Sequence, residues 1–246
     1  MKSMRVFYAG DSPVGGAANY LRGVLREMKA RVTHLPPSEK LKPAFLKSRY
    51  DVIILSDYAA AQTPLVSQKI IAKQVQNHAG FLMVGGWGSY SGPFGGWRGS
   101  WIEKLLPVTC KKSDDRVNFP GGASLVLKDT GGFLNPKIFR QMPAICGLNE
   151  IVPKDKSKIL LAARKILSDG HHIHLEARQY PLLVVGDHPQ KRVAALATDL
   201  APHWCGGLVD WGTKSQKLKV TSKIQIQVGN YYIDFVSSLV RWLAAR

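Results

Sequence analysis

Over the first 85 positions, short apolar runs bounded by turn residues alternate with stretches of helical spacing. Arg5-Val6-Phe7-Tyr8-Ala9 stops at Gly10-Asp11-Ser12-Pro13, which predicts a strand and a turn. From Gly15 to Lys29, the residues Leu21, Val24, Leu25 and Met28 fall on one helical face. Asp51-Val52-Ile53-Ile54-Leu55 is β-branched and too short for a helix. It reads as a second strand, buried on both faces and ending at Ser56-Asp57. Thr63-Pro64 predicts a helix start, threonine capping free amides and proline taking the first turn. That helix should run to about His78 with Ile70, Ile71 and Val75 inward. Gly80-Phe81-Leu82-Met83-Val84 is a third buried strand. Strand, helix, strand, helix, strand in this order predicts parallel strands joined by right-handed crossovers.

Further on the pattern is less regular. Residues 85–101 hold seven glycines and three tryptophans, a glycine-rich loop with large aromatics. Ala123 to Leu127 reads as a strand, and Lys158 to Ser168 fits a helix or a strand. Pro181–Gly186 and Arg192–Thr198, joined by Asp187-His188-Pro189-Gln190-Lys191, read as a hairpin. Ile233, Val236, Val240 and Leu243 close the chain at helical spacing. There is no internal repeat and no linker rich enough to divide the chain, so residues 1–246 are expected to form a single domain.

Composition narrows the class. With 246 residues, 45% apolar and 21% charged, the chain is ordinary globular material, not disordered or fibrous. No apolar run approaches the roughly 18 residues of a membrane helix, and the N-terminus turns polar at Asp11 before a signal core forms. No membrane partner is therefore expected. Three cysteines without a CxxC pair argue against a disulfide framework or a structural zinc site, and a reducing cytoplasm is the expected compartment. His171-His172-x-His174 has no carboxylate or cysteine pattern to complete a metal site, so neither metal nor cofactor is expected. Charge is the unusual quantity: 34 basic against 17 acidic residues give a formal +17. Arg22–Arg49 and Lys214–Lys223 are locally basic. No zinc finger, basic zipper or RNA-binding aromatic motif accompanies them, so specific nucleic-acid binding is not expected.

In an open parallel sheet, ligands bind beyond the carboxyl ends of the strands. Those ends carry Asp11, then Asp57, then Gly85-Gly86-Trp87-Gly88-Ser89, and late in the chain Asp199 with Pro202-His203-Trp204. Asp11, Asp57, Ser89 and His203 are expected on one rim. Gly10 to Gly16 is not a P-loop, since no Gly-Lys-Ser/Thr follows.

Several of these segments carry a family resemblance. Gly10-Asp11-Ser12-Pro13 with Gly16-Ala17, Asp51 through Tyr58, and Gly80 through Gly92 resemble the glutamine amidotransferase-like proteins of bacteria. So do Leu106-Pro107-Val108, Asp114-Asp115-Arg116-Val117, Thr198-Asp199-x-Ala201-Pro202-His203-Trp204 and Asp210-Trp211. The resemblance implies the class I glutamine amidotransferase-like fold: an α/β, flavodoxin-like three-layer sandwich with a mainly parallel central sheet. In class I amidotransferases a cysteine follows the third of these strands in a Gly-x-Cys-x-Gly elbow, and a late histidine activates it. Here the elbow is Val84-Gly85-Gly86-Trp87-Gly88, so Gly86 stands where the nucleophile belongs, and no thiolate route from glutamine is expected.

A strand-to-helix turn of small residues still aims backbone N–H groups at one spot, a site for a carboxylate or other anion. The expected site is therefore a cleft lined by Asp11, Asp57, Gly85, Gly86, Trp87 and Trp204 that binds a small anionic or amide ligand. His203 and Ser89 are its candidate catalytic groups. One alternative is a hydrolase using Ser89 or a water with His203 as base. The other is a basic interaction protein that docks an acidic partner or nucleic acid. A homo-oligomer is compatible with all three readings.

Overall fold

The computed structural model describes residues 3–13, 16–186 and 192–245. The elements in chain order are β1 (Arg5–Gly10), α1 (Ala17–Glu27), β2 (Arg31–Leu35), β3 (Val52–Ser56), α2 (Leu65–Asn77), β4 (Gly80–Val84) and α3 (Trp101–Leu105). Strands β5 (Val108–Thr109), β6 (Arg116–Leu127), β7 (Ala144–Asn149), β8 (Val152–Pro153), β9 (Ser157–Ser168) and β10 (Ile173–Leu175) follow. The chain closes with β11 (Tyr180–Gly186), β12 (Val193–Leu196), α4 (Pro202–Cys205), β13 (Ser215–Lys219), β14 (Gln225–Gly229) and α5 (Asn230–Ala244).

Among the described residues, ten strands form one sheet in the order β2-β1-β3-β4-β12-β11-β9-β6-β7, with β10 beside β9. The first five in that order are all parallel. They reproduce the 2-1-3-4-5 order of flavodoxin-like sheets, β12 serving as the fifth strand. From β1 the chain crosses outward one way to β2, and from β3 it crosses the other way to β4. Right-handed crossovers therefore put α1 and α2 on opposite faces. α5 joins α1, and α3 joins α2, which completes three layers. The central strands β3, β4 and β12 are buried along their whole length, as a sheet covered on both faces requires.

The remainder of the sheet is antiparallel: β11 with β12 and β9, and β6 with β9 and β7. Among the described residues no α-helix separates these strands, only a short 3-10 turn at Ile138–Arg140, and connections without a crossover helix give antiparallel neighbours. The mainly parallel centre is as expected, and the sheet continues past it as a mixed one. Residues 158–168 settle as strand. Ile159-Leu160-Leu161-Ala162-Ala163 lies between β11 and β6, where a short apolar run suits the ladder.

Two expectations need correction. A strand precedes the Asp51 run: Arg31-Val32-Thr33-His34-Leu35 forms the sheet edge beside β1, where one neighbour and partial exposure tolerate its polar residues. Thr63 does not cap α2. Pro64 occupies the cap position, and the buried Thr63 Oγ1 has no hydrogen-bond partner. The start of α1 at Gly15 and the hairpin connection 187–191 lie outside the described residues. Among the described residues, no helix is long and apolar enough to cross a membrane.

Candidate functional site

Three segments converge beyond the carboxyl ends of β3, β4 and β12. Asp57 follows β3 with φ 48°, in the left-handed region. Its Oδ1 accepts the Gly88 amide at 2.5 Å, and its own amide donates to Ser89 Oγ at 3.1 Å. Ser89 Oγ in turn donates to the Val84 carbonyl at 2.6 Å. The turn after β4 is thus sewn to the turn after β3.

Gly86 is where this sewing excludes a side chain. Its φ is +150°, and a Cβ there would lie 2.6 Å from Asp57 Oδ1. Asn149, at the end of β7 and fully buried, grips the same residue. Its Oδ1 accepts the Gly86 amide at 2.9 Å, and its Nδ2 donates to the Gly86 carbonyl at 3.2 Å and to Asp115 Oδ1 at 2.7 Å. Asp115 also accepts the Ser91 amide at 2.7 Å, and burial pushes its carboxyl above the ordinary range. Trp97, wholly buried, donates from Nε1 to the Tyr58 and Gly88 carbonyls. The glycine-rich loop is therefore held from several sides.

The third segment is α4. Asp199 Oδ2 accepts the Trp204 amide at 3.2 Å and lies 3.9 Å from His203 Nδ1. The His203 side chain is 73% exposed. Trp204 is buried against Gly147, where a Cβ would meet the indole at 2.8 Å. Asp57, Gly86, Trp87, Asp199, His203 and Trp204 enclose a cavity of about 360 Å³. A second hollow of about 340 Å³ is lined by Pro37, Asp57, Ala59, Gln62, Trp87, Gly88 and Phe94. A hollow of about 310 Å³ between α2 and α3 is mostly apolar, and among the described residues Lys104 is its one charged lining residue.

Five expected residues, Asp57, Gly86, Trp87, His203 and Trp204, thus share one cavity. The other three are placed differently. Gly85 is buried behind the turn, its amide donating to the Leu196 and Thr198 carbonyls. Ser89 is 1% exposed, and its proton is held by Val84, so it does not stand beside His203 as a nucleophile would. Asp11 does not line the cavity. Its carboxylate accepts the Tyr8 hydroxyl, and burial, the largest cause, pushes its carboxyl up to about 7. Four amides of the expected anion cradle are already engaged. The amides of Gly85, Gly86, Gly88 and Ser89 all donate to acceptors within the protein.

Sequence reasoning passed over Asn149 and Phe94 as site residues, and it named Asp199 at a strand end without assigning it to the site. Asp199 had a readable signal, four residues before His203. Asn149 had none, because its partner Gly86 lies 63 positions away in the turn after β4.

The parallel strand order and the site beyond its carboxyl edge define a flavodoxin-like α/β protein built on a class I amidotransferase-like plan. The chain belongs to the family described as "Putative glutamine amidotransferase", whose model matches residues 10–221. Among solved structures, a cytoplasmic protein of Salmonella typhimurium is similar over 99% of this chain and 100% of its own, at 20% identity and TM-score 0.73. A second cytoplasmic protein of the same organism is similar over 82% and 90%, at 23% identity and TM-score 0.66. A "Putative thua-like protein" of Parabacteroides merdae is similar over 99% and 91%, at 13% identity and TM-score 0.58. At these identities the likeness is one of fold. No curated protein matches the sequence significantly.

Proposed function

We propose that this chain is a member of its family without glutaminase activity, and that it binds a small ligand in the cavity between the Gly86 turn and α4. The carrying observation is Gly86 itself. Covalent glutamine hydrolysis needs a thiolate at the elbow. Here the space for any Cβ is filled by the Asp57 carboxylate, which the Gly88 amide holds in place. The departure from a glutaminase is therefore built into the surrounding turn and is more than one exchanged residue. The cavity supports binding: it has the volume of a small-molecule site, two indole walls and a few convergent polar groups.

Purified protein is expected to release no ammonia from glutamine, and Gly86→Cys is expected not to confer release. Ammonia production that persists after Cys110, Cys146 and Cys205 are all changed to serine would overturn this reading. A second reading is water-activated hydrolysis, favoured by one observation: Asp199 Oδ2 faces His203 Nδ1 at 3.9 Å, beyond a hydrogen bond, so that a small rotation of the exposed ring would bring the two into the carboxylate–histidine contact of a general base. It is tested by turnover of amide and ester panels with and without His203→Ala. Loss of activity with unchanged melting supports it.

A further inference from the structure

Trp87 stands between two hollows with different chemistry. One side presents Asp57, Asp199, His203 and Trp204, and the other Pro37, Ala59, Gln62 and Phe94. Asp57 lines both, so the carboxylate sits at their junction. Phe94 is 66% exposed and Trp87 49%, and the two rings lie 6.4 Å apart. Large aromatics left in water contribute little to folding. Grouped at the mouth of a hollow, they are the usual wall of a ligand site.

The charges around this double site point one way. Among the described residues its lining holds two carboxylates and one histidine and no lysine or arginine, and Arg116 packs against one of its walls, Trp87. That guanidinium stacks 4.4 Å from the Trp87 ring centre and is already bonded to Asp114 at 2.6–3.0 Å. The amides of Gly85, Gly86, Gly88 and Ser89, four that could receive an anion, already have acceptors. In a chain with a net +17, this acidic lining stands out as a local selection for positive charge.

Resting on the reading of the cavity as a ligand site, we propose that the paired hollows take an organic amine carrying an apolar or aromatic arm. The ammonium sits at Asp57, and the arm lies against Phe94 and Pro37. Asp57 Oδ1 holds the Gly88 amide, and Oδ2 is the oxygen offered to the ligand.

The test is calorimetric titration, with tryptophan fluorescence as a second readout, using phenethylamine, ethylamine, phenylacetate and 2-phenylethanol. Phenethylamine is expected to bind best, with each of the others weaker by about tenfold or more, since each lacks the charge or the arm. Asp57→Asn keeps an acceptor for Gly88 but removes the charge, and should weaken phenethylamine by about tenfold while melting near the parent temperature. Phe94→Ala, at an exposed position, should weaken phenethylamine by about fivefold and leave ethylamine unchanged. If phenylacetate or 2-phenylethanol binds as well as the amine, and His203→Ala or Asp57→Asn abolishes that binding, the cavity is a ligand site and the amine inference is overturned. If none of the four binds, both readings fall.

Discussion

At the scale of single residues, the site depends on groups that never touch the cavity. Asn149 satisfies both backbone polar groups of Gly86 and one oxygen of the buried Asp115. Asn149→Ala would leave the Gly86 amide and one oxygen of the buried Asp115 carboxylate without partners, at about 2–4 kcal/mol. A drop of that size in denaturant unfolding is expected, whereas His203→Ala, at an exposed position, should stay within about 1 kcal/mol. Asp11 gives a different signature. Its folded carboxyl titrates near 7 because burial disfavours the charge, whereas in the unfolded chain it titrates near 4. Between those values the folded state keeps a proton that the unfolded state has lost, so this group's contribution falls as pH rises from about 4 to about 7 and is level above that. Asp11→Asn should flatten that slope by about 2 kcal/mol, allowing for the partial exposure of the site. Asparagine suits the test because it tolerates the left-handed backbone found there, φ 41°. Chemical denaturation of both proteins at pH 4.5 and pH 8 measures the difference. These residue types were legible as strand-end polar groups, but their partners were not. The direction in which Asp11 or Ser89 points is decided by Tyr8 and Val84, which the sequence shows only as core.

At the scale of elements, the parallel half could be read because each strand is a short apolar run and each helix carries a clear face. The edge strand β2 was hidden for the opposite reason: an edge strand needs only one covered face, so its polar residues look like loop. The elbow between β4 and the glycine-rich loop was legible as a turn, and its geometry explains why glycine stands there. Gly86→Ala combines a strained φ of +150° with a 2.6 Å approach to Asp57. A loss of about 2–4 kcal/mol is expected, visible as a melting temperature lowered by several degrees. An alanine variant that melts like the parent would show that the Asp57 side chain gives way freely, and would remove the steric basis for the missing nucleophile.

At the scale of the whole molecule, the charge of +17 is dispersed, and part of it sits on an ordered ribbon. Lys217 and Lys219 lie on β13 opposite Gln227 and Gln225 of β14, on the exposed face of a two-stranded ribbon. Such a surface attracts polyanions through counterion release, without reading sequence. Weak DNA binding at low salt is expected, falling by about tenfold or more on going to physiological salt and indifferent to base composition. Tight, sequence-dependent binding at physiological salt in a mobility-shift assay would contradict this and favour a recognition role for the ribbon.

The position of β12 carries a consequence for how the molecule is made. It inserts between β4 and β11, and pairs with β4 across more than 100 positions of sequence. During synthesis, β4 must wait with one bare edge until residues 193–196 leave the ribosome. That edge is flanked by Phe81, Leu82, Met83 and Val84, a template for pairing with another chain. α4 follows directly after β12, so the wall bearing His203 and Trp204 cannot form before this last central strand docks. The cavity is then a product of late, non-local folding. A ligand bound there as proposed would stabilise the finished sheet against the open-edged form by mass action, and so act as a folding aid.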